Sequence, residues 1–212
     1  MFNKIIDDLI DALKTISTIT NKSAQKIAFD LLKKDNTEID NLVKKIYQLK
    51  QKLTFCTQCN FLMEIDQTNL CQYCSNPKRN QYQICIVTSL FEAFKIENAK
   101  IYHGLYYILD QELSIKKREN QSHLKIDKLI VWLKKIASEN SVEIIIATNP
   151  TIDGQLTAHE LAKSIHLINS TIKIYRLGFG LPYNSEINYA DDLSLEQSLN
   201  NKQEIKIIRN KT

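Results

Sequence analysis

The sequence predicts an α/β protein in which a helical module and a cysteine cluster precede a domain with a mostly parallel sheet. Three observations support this fold class. Apolar residues recur at three- and four-residue spacing through the first fifty positions, and four cysteines in two pairs follow. Beyond residue 80, short apolar runs alternate with helical segments, which is typical of parallel strands joined by helices. A chain of 212 residues is long enough for one large or two small domains.

The first part of the chain is predicted to form three helices, over residues 2–13, 24–32 and 38–49. Asn21 is the expected N-cap of the second helix, since its side chain can accept a hydrogen bond from an orphan amide. Two helices joined by a tight turn indicate a helix-hairpin-helix unit, which grips DNA phosphates through backbone amides and lysines.

Lys22 and Lys26 are the candidate DNA contacts of this unit, because they lie one turn apart and opposite the apolar face of the second helix. An ordinary solvated face explains their spacing equally well. The turn over residues 16–21 contains no glycine, so close backbone approach to a phosphate is disfavoured. A packing or dimerisation role for the hairpin therefore stays open.

Four cysteines then form the pairs Cys56–Cys59 and Cys71–Cys74, with eleven residues between the pairs. Each pair can present two thiolates from one turn, and four such sulfurs complete a closed tetrahedral site for structural Zn²⁺. Two disulfides are the alternative, and they require an oxidising compartment. The N-terminal sequence does not read as a signal peptide, and no apolar run is long enough to span a membrane, so we expect a cytoplasmic, zinc-binding protein.

The last part of the chain is predicted to form the sheet. Buried strands are expected at residues 84–87, 105–109, 142–147 and 172–177, with helices at 91–97, 126–137 and 156–168. A final apolar run at 204–208 suggests a returning C-terminal strand. Cys85 lies within the first of these strands and is expected to be a buried thiol.

Ligands of such a sheet are expected beyond the carboxyl ends of its strands. A two-metal nuclease or topoisomerase site needs several carboxylates there, but the first strand ends in Thr88. Asp110 and Glu112 follow the second strand, and the third offers Asp153 with Gln155 two residues later. A Mg²⁺-dependent enzyme is therefore the alternative function, and the absence of an acid at position 88 counts against it.

Several motifs, taken together, resemble the RecR family of bacterial recombination and repair proteins along nearly the whole chain. The most specific are Cys-Ser-Asn-Pro at 74–77 and Ala-Thr-Asn-Pro-Thr at 147–151, supported by the segment 21–29 and by Gly-Leu-Pro at 180–182. The resemblance implies a helix-hairpin-helix module at 1–54, a four-cysteine zinc motif at 55–79, a Toprim-type α/β domain at 80–177 and a C-terminal segment at 178–212.

The resemblance also implies a function without catalysis. Such proteins form dimers and ring-like tetramers around DNA in the nucleoid, and they act with RecO and RecF to load RecA at single-stranded gaps. Lys22 and Lys26 would then contact DNA, and Asp153 would belong to the surface that meets RecO. The net charge of +4 permits nucleic-acid binding without requiring it.

The sequence departs from the family pattern at several glycines and acids. Ser17, Thr18, Thr20 and Asn21 replace the glycines and proline of the hairpin, and Thr88 stands where the pattern has glutamate. Asn184 and Asn201 also replace glycines, and we interpret both as residues that tolerate a left-handed backbone. A degenerate module that binds partners but not DNA is therefore a further alternative.

Overall fold

The computed structural model describes residues 3–66, 68–114, 126–137, 141–178 and 180–202. Contacts divide the chain into two compact units, Met1–Thr54 and Phe55–Thr212. The predicted fold class is confirmed: helices come first, a four-cysteine cluster follows, and an α/β domain with a parallel sheet completes the fold. The predicted strand at 204–208 lies outside the described residues.

The first unit contains the helices α1 (Lys4–Lys14), α2 (Asn21–Leu32) and α3 (Asn36–Lys52). Ile10 of α1 packs against Ala24 and Ala28 of α2, and these small residues let the two helices approach closely. The expected N-cap at Asn21 is wrong by one position. Thr20 has the extended backbone of a cap, and its hydroxyl accepts the backbone N–H of Ser23 at 3.2 Å.

The turn between α1 and α2 forms without glycine because its backbone stays in ordinary regions. Its backbone hydrogen bonds are short and local, with the Ile19 N–H donating to the Ile16 carbonyl at 2.9 Å. Positive φ occurs among the described non-glycine residues only at Asn60, Asn69, Lys100, Asp110 and Asn184, none of which is in this turn. The β-branched Thr18 and Thr20 are thus accommodated without strain.

The second unit is built on one parallel sheet. Its order is β4-β3-β5-β6, and a separate two-stranded sheet pairs β1 with β2. The strands are β1 (Leu53–Phe55), β2 (Leu62–Glu64), β3 (Asn80–Val87), β4 (Gly104–Ile108), β5 (Glu143–Ala147) and β6 (Lys173–Arg176). The helices are α4 (Leu90–Asn98), α5 (Asp127–Ile136), α6 (Ile152–Ile168) and α7 (Asp192–Asn200).

The strand register brings three strand ends to one edge of the sheet. Val87 of β3 is paired with Ile108 of β4 on one side and with Ala147 of β5 on the other. The residues that follow these strands therefore lie along the same carboxyl edge, as expected for parallel strands. Every residue of β4 is buried, and so are the last four residues of β3, which places the core at the centre of the sheet.

Candidate metal centre and nucleic-acid interface

The four cysteines converge in a buried cluster. The sulfur atoms of Cys56, Cys59, Cys71 and Cys74 all lie within 4.8 Å of one another, and all four residues are buried. The Cys59 and Cys71 sulfurs are 3.4 Å apart, far beyond the roughly 2.05 Å of a disulfide bond. All five cysteines of the chain are free thiols. The cluster can therefore hold a metal ion.

The geometry of the cluster fits a tetrahedral thiolate site. Metal–sulfur bonds of about 2.3 Å at tetrahedral angles place the sulfurs about 3.8 Å apart, and the four sulfurs here all lie within 4.8 Å of one another. Hydrogen bonding with Cys59 lowers the pKa of the Cys56 thiol, whereas hydrogen bonding with Cys56 raises the pKa of the Cys59 and Cys74 thiols. A bound cation would favour the thiolate form of all four cysteines. Four protein ligands leave no open position, which makes the site structural.

Two asparagines shape the turns that carry the cysteines. Asn60, directly after Cys59, has a φ of 60°, and Asn69, just before Cys71, has a φ of 55°. Asparagine tolerates this left-handed region better than most residues. The turn at Asn60 is closed by its own N–H, which donates to the Cys56 carbonyl at 3.1 Å. The local sequence thus presets the knuckle geometry.

The first cysteine knuckle is hydrogen-bonded to the outer edge of the sheet. The Ile108 N–H donates to the Cys59 carbonyl at 2.9 Å, and the Asn60 amide donates to the Ile108 carbonyl at 3.2 Å. Lys128 at the start of α5 donates to the Asn60 side-chain oxygen at 2.9 Å. The otherwise open edge of β4 is therefore covered by a residue that belongs to the cysteine cluster.

Arg79 connects the second knuckle to the sheet, a role that the sequence analysis missed. Its guanidinium donates to the Gly104 carbonyl at 2.7 Å, forms an ion pair with Glu97 and lies 4.5 Å from the Tyr73 ring centroid. The Tyr106 hydroxyl donates to the same Glu97 carboxylate at 2.8 Å. The only sequence signal was a cation two residues after a proline that ends the cysteine motif.

The two lysines predicted to contact DNA lie on the exposed face of α2. Lys22 and Lys26 are exposed and lie one helical turn apart. Ala24 and Ala28, on the opposite face of the helix, are buried against α1. Within the described ranges, no ion pair involves either lysine. Both ammonium groups are therefore available to an anionic partner. The sequence offers a further basic run, Lys116-Lys117-Arg118, as a candidate DNA contact, and this run lies outside the described residues.

At the carboxyl edge of the sheet, two carboxylates meet one asparagine. The Asn149 amide lies 3.3 Å from an oxygen of Glu92 and 3.3 Å from an oxygen of Glu112, and its backbone N–H donates to Glu112 at 3.0 Å. The Thr88 hydroxyl donates to Glu92 at 2.7 Å, so a carboxylate from α4 reaches the position where the strand itself ends in threonine.

Asp153 lies in the first turn of α6 and is half-buried. The next residue is glycine for a steric reason, because a Cβ at Gly154 would lie 2.1 Å from the Asn149 carbonyl oxygen. Across the described part of the chain, the cysteine cluster is the only set of three or more His, Cys, Asp or Glu side chains close enough to hold a metal. The described edge therefore lacks the carboxylate cluster that a two-metal enzyme uses.

Comparison with known protein families assigns both units. A family profile described as "RecR, helix-hairpin-helix" matches residues 6–50, and a Toprim domain profile matches residues 82–178. The two matches flank the cysteine cluster. None of the described helices has the length and apolar character needed to cross a membrane.

Curated proteins named "Recombination protein RecR" are similar to this chain over nearly its full length. The protein from Ureaplasma urealyticum serovar 10 is 40% identical over 199 residues, covering 94% of this chain and 96% of the relative. The protein from Mycoplasmopsis pulmonis is 36% identical, covering 95% and 100%, and that from Koribacter versatilis is 34% identical, covering 93% and 95%.

Proposed function

Because this chain belongs to the RecR family of recombination proteins, we propose that it is a non-catalytic DNA-binding scaffold of recombination and repair in the nucleoid. It would assemble into a dimer or ring around DNA and act with proteins of the RecO and RecF type in loading RecA at single-stranded gaps. The names of its relatives state a role in recombination. The ring and the RecO, RecF and RecA partners are proposed for this chain.

The hairpin of α1 and α2 carries the DNA-binding part of the proposal. Lys22 and Lys26 present two exposed cations on one face of a helix whose opposite face is buried, and no described acid pairs with them. Phosphate contacts of this kind are independent of base sequence and weaken steeply with salt. Such binding suits a protein that must recognise gaps at any position.

The cysteine cluster supports one structural Zn²⁺ per chain. Its four buried sulfurs match tetrahedral thiolate coordination, and the cluster is joined to the sheet through the Cys59 carbonyl. When bound, the ion would neutralise thiolate charge and hold the two knuckles together. We propose that Cys56, Cys59, Cys71 and Cys74 are its ligands.

Self-assembly and partner binding complete the proposal. Helix α3 has no buried residue, and its apolar side chains Leu42, Val43, Ile46, Tyr47 and Leu49 are exposed, which is typical of a surface that a second subunit covers. Asp153 is proposed to contact a RecO-type partner. Its place in the first turn of α6, beside the carboxyl edge, leaves it half-exposed.

Binding of a fluorescent gapped duplex, followed by anisotropy across a salt series, tests the DNA contact. The charge-reversal variant Lys22→Glu/Lys26→Glu is expected to bind at least about tenfold more weakly at low salt, with a salt slope smaller by about two, because two phosphate contacts are lost. Lys95→Glu/Lys163→Glu, at two exposed lysines of α4 and α6, makes the same charge change and serves as the control. Equal losses in both variants would argue against a specific role for α2.

The non-catalytic part of the proposal is tested by incubating supercoiled and gapped DNA with the protein and Mg²⁺ or Mn²⁺. We expect no cleavage or relaxation, because no three acids of the described carboxyl edge lie close enough together to hold a metal. Activity that co-purifies with the wild-type protein and disappears in Asp153→Asn would instead establish a metal-dependent enzyme.

A further inference from the structure

A cavity of about 640 Å³ opens next to the cysteine knuckle, within the second unit. Its walls come from the end of β1, the first knuckle, the carboxyl end of β4, and the first turns of α4 and α5. The lining residues that matter for its chemistry are Phe55, Phe91, Leu109, Asp110, Asp127 and Lys128. A volume of this size accommodates several side chains of a bound peptide.

The walls are largely apolar, and two aromatic rings are left in solvent. Phe91 is 85% exposed and Phe55 is 59% exposed, and both line the cavity together with the aliphatic Leu90, Ile108 and Leu109. Leaving two aromatic side chains in water forgoes the free energy of burying them. Clustered aromatic side chains around an apolar depression are typical of the central contacts of protein interfaces.

The rim carries negative charge, although the chain as a whole is basic. Asp110 and Asp127 are exposed at the cavity, and no ion pair within the described residues involves either of them. Among the described lining residues the one cation is Lys128, and it already donates to the Asn60 side chain at 2.9 Å. Since the net charge of the chain is +4, composition alone does not explain an acidic rim.

The cavity is held open by the surrounding hydrogen bonds. The Ile108 N–H bonds the Cys59 carbonyl, the Leu109 N–H donates to the Val87 carbonyl at 2.8 Å, and Ser89 caps α4 in a reciprocal capping box with Glu92. A preformed site spares a ligand the free-energy cost of ordering the protein.

From these features we propose that the cavity docks a segment of a partner protein in which an aromatic or long aliphatic side chain lies next to lysine or arginine. The apolar side chain would bury Phe55 and Phe91, and the neighbouring cation would pair with Asp110 and Asp127. Nucleic acid does not fit this site, because the two carboxylates repel phosphate. This contact is separate from the DNA contact of α2 and does not depend on it.

The test uses the full-length protein and fluorescein-labelled nonapeptides that differ only around a central residue. One peptide has Phe between two lysines, a second has Phe between two glutamates, and a third has Ala between two lysines. Binding is measured by anisotropy for the wild type, for Asp110→Asn/Asp127→Asn and for Phe91→Ala. Asp192→Asn, an exposed acid on α7 that does not line the cavity, is the matched control.

We expect the lysine-flanked Phe peptide to bind the wild type about fivefold or more tightly than the glutamate-flanked one, because two exposed ion pairs form. That preference should vanish in Asp110→Asn/Asp127→Asn and persist in Asp192→Asn. Phe91→Ala, which removes an exposed ring, should bring the Phe and Ala peptides to similar affinity. Circular dichroism spectra verify that every variant is folded.

The proposal would be overturned by no saturable binding of any peptide, by equal binding of the lysine- and glutamate-flanked peptides, or by a lysine preference that survives removal of both aspartates. Displacement of the peptide by an oligothymidylate that binds the wild type and the Asp110→Asn/Asp127→Asn variant equally would show that the peptide occupies the DNA site instead. The DNA contact is tested separately by variants of Lys22 and Lys26 on α2. A failure of the peptide experiment therefore leaves the assignment of these two lysines intact.

Discussion

Arg79 illustrates how one side chain joins the cysteine motif to the sheet. Its guanidinium makes three contacts at the same time: a hydrogen bond to the Gly104 carbonyl, an ion pair with Glu97 and a cation–π contact with the Tyr73 ring. The side chain is largely buried, so these contacts are only weakly screened by solvent. Lysine could supply the charge but not the planar fork that reaches a carbonyl and a carboxylate together.

We predict that Arg79→Ala destabilises the protein by about 1–3 kcal/mol, because it removes the cation that pairs with the part-buried Glu97 carboxylate and leaves the Tyr106 hydroxyl donating to it. Urea denaturation of the metal-loaded protein measures the change in the free energy of unfolding. Lys78→Ala, next to it and exposed, should change that free energy by less than about 0.5 kcal/mol. Equal effects in the two variants would contradict the role assigned to Arg79.

Single residues also show where sequence reasoning reaches its limit. We predicted a left-handed backbone at Asn184 and Asn201, where asparagine replaces glycine. Asn184 has a φ of 64°, which confirms the prediction, but Asn201 has a φ of −97°, so the prediction was wrong at that position. The sequence shows directly that the strand β3 is followed by Thr88 and not by an acid. It did not show that Glu92, four residues later, folds back to Thr88, because the capping geometry of α4 decides this.

At the scale of elements, the N-cap of α2 positions the predicted DNA-binding helix. The Thr20 hydroxyl accepts a hydrogen bond from the Ser23 backbone N–H at the N-terminus of α2, next to Lys22. Replacing Thr20 by alanine removes this hydrogen bond. We predict that Thr20→Ala lowers the free energy of unfolding by about 1 kcal/mol.

Thermal or urea unfolding followed by circular dichroism measures this difference. Thr18→Ala is the matched control, since Thr18 is exposed in the same turn and caps no helix. We expect the control to lie within about 0.5 kcal/mol of the wild type. A loss that is as large in Thr18→Ala as in Thr20→Ala would exclude capping as the cause.

We propose that the stability of the cysteine knuckle depends on a bound metal ion. Cys59→Ser is expected to reduce bound zinc from one ion per chain to nearly none and to lower the melting temperature. The loss should be large, because structural zinc binding contributes about 10–16 kcal/mol in model peptides. Elemental analysis of the purified protein gives the stoichiometry.

Cys85→Ser is the control for metal content. Burial raises the pKa of the Cys85 thiol to about 12, so it stays neutral at pH 7 and is not a competing ligand. This variant should keep one zinc ion per chain. Freshly prepared wild-type protein without zinc, or full zinc content in Cys59→Ser, would contradict the assigned site.

Long, strongly patterned elements were predictable, and short or edge elements were not. The predicted strand at 84–87 is the buried half of β3, whose first residues are too polar to read as a strand. The strands β1 and β2 have three residues each and carry no periodic signal. Helix α7 was missed because none of its residues is buried, so no apolar stripe marks it.

In the molecule as a whole, the cysteine cluster and the carboxyl edge of the sheet both belong to the second unit. The Cys59 carbonyl holds the β4 backbone at Ile108, and Glu112, four residues further on, holds the Asn149 backbone after β5. The sequence located the cysteines and the strand ends separately. It could not show that hydrogen bonds join them, because the residues concerned are far apart in the chain.

We propose that the whole molecule acts on DNA as a closed assembly without cutting it. The most direct measurement is retention on a gapped circular DNA at about 0.5 M NaCl, where phosphate contacts are largely screened. A ring should stay on the circle and be lost once a restriction enzyme linearises the same DNA, because it can slide off the ends. Equal retention on circular and linear DNA, or complete loss from both, would contradict the proposed clamp.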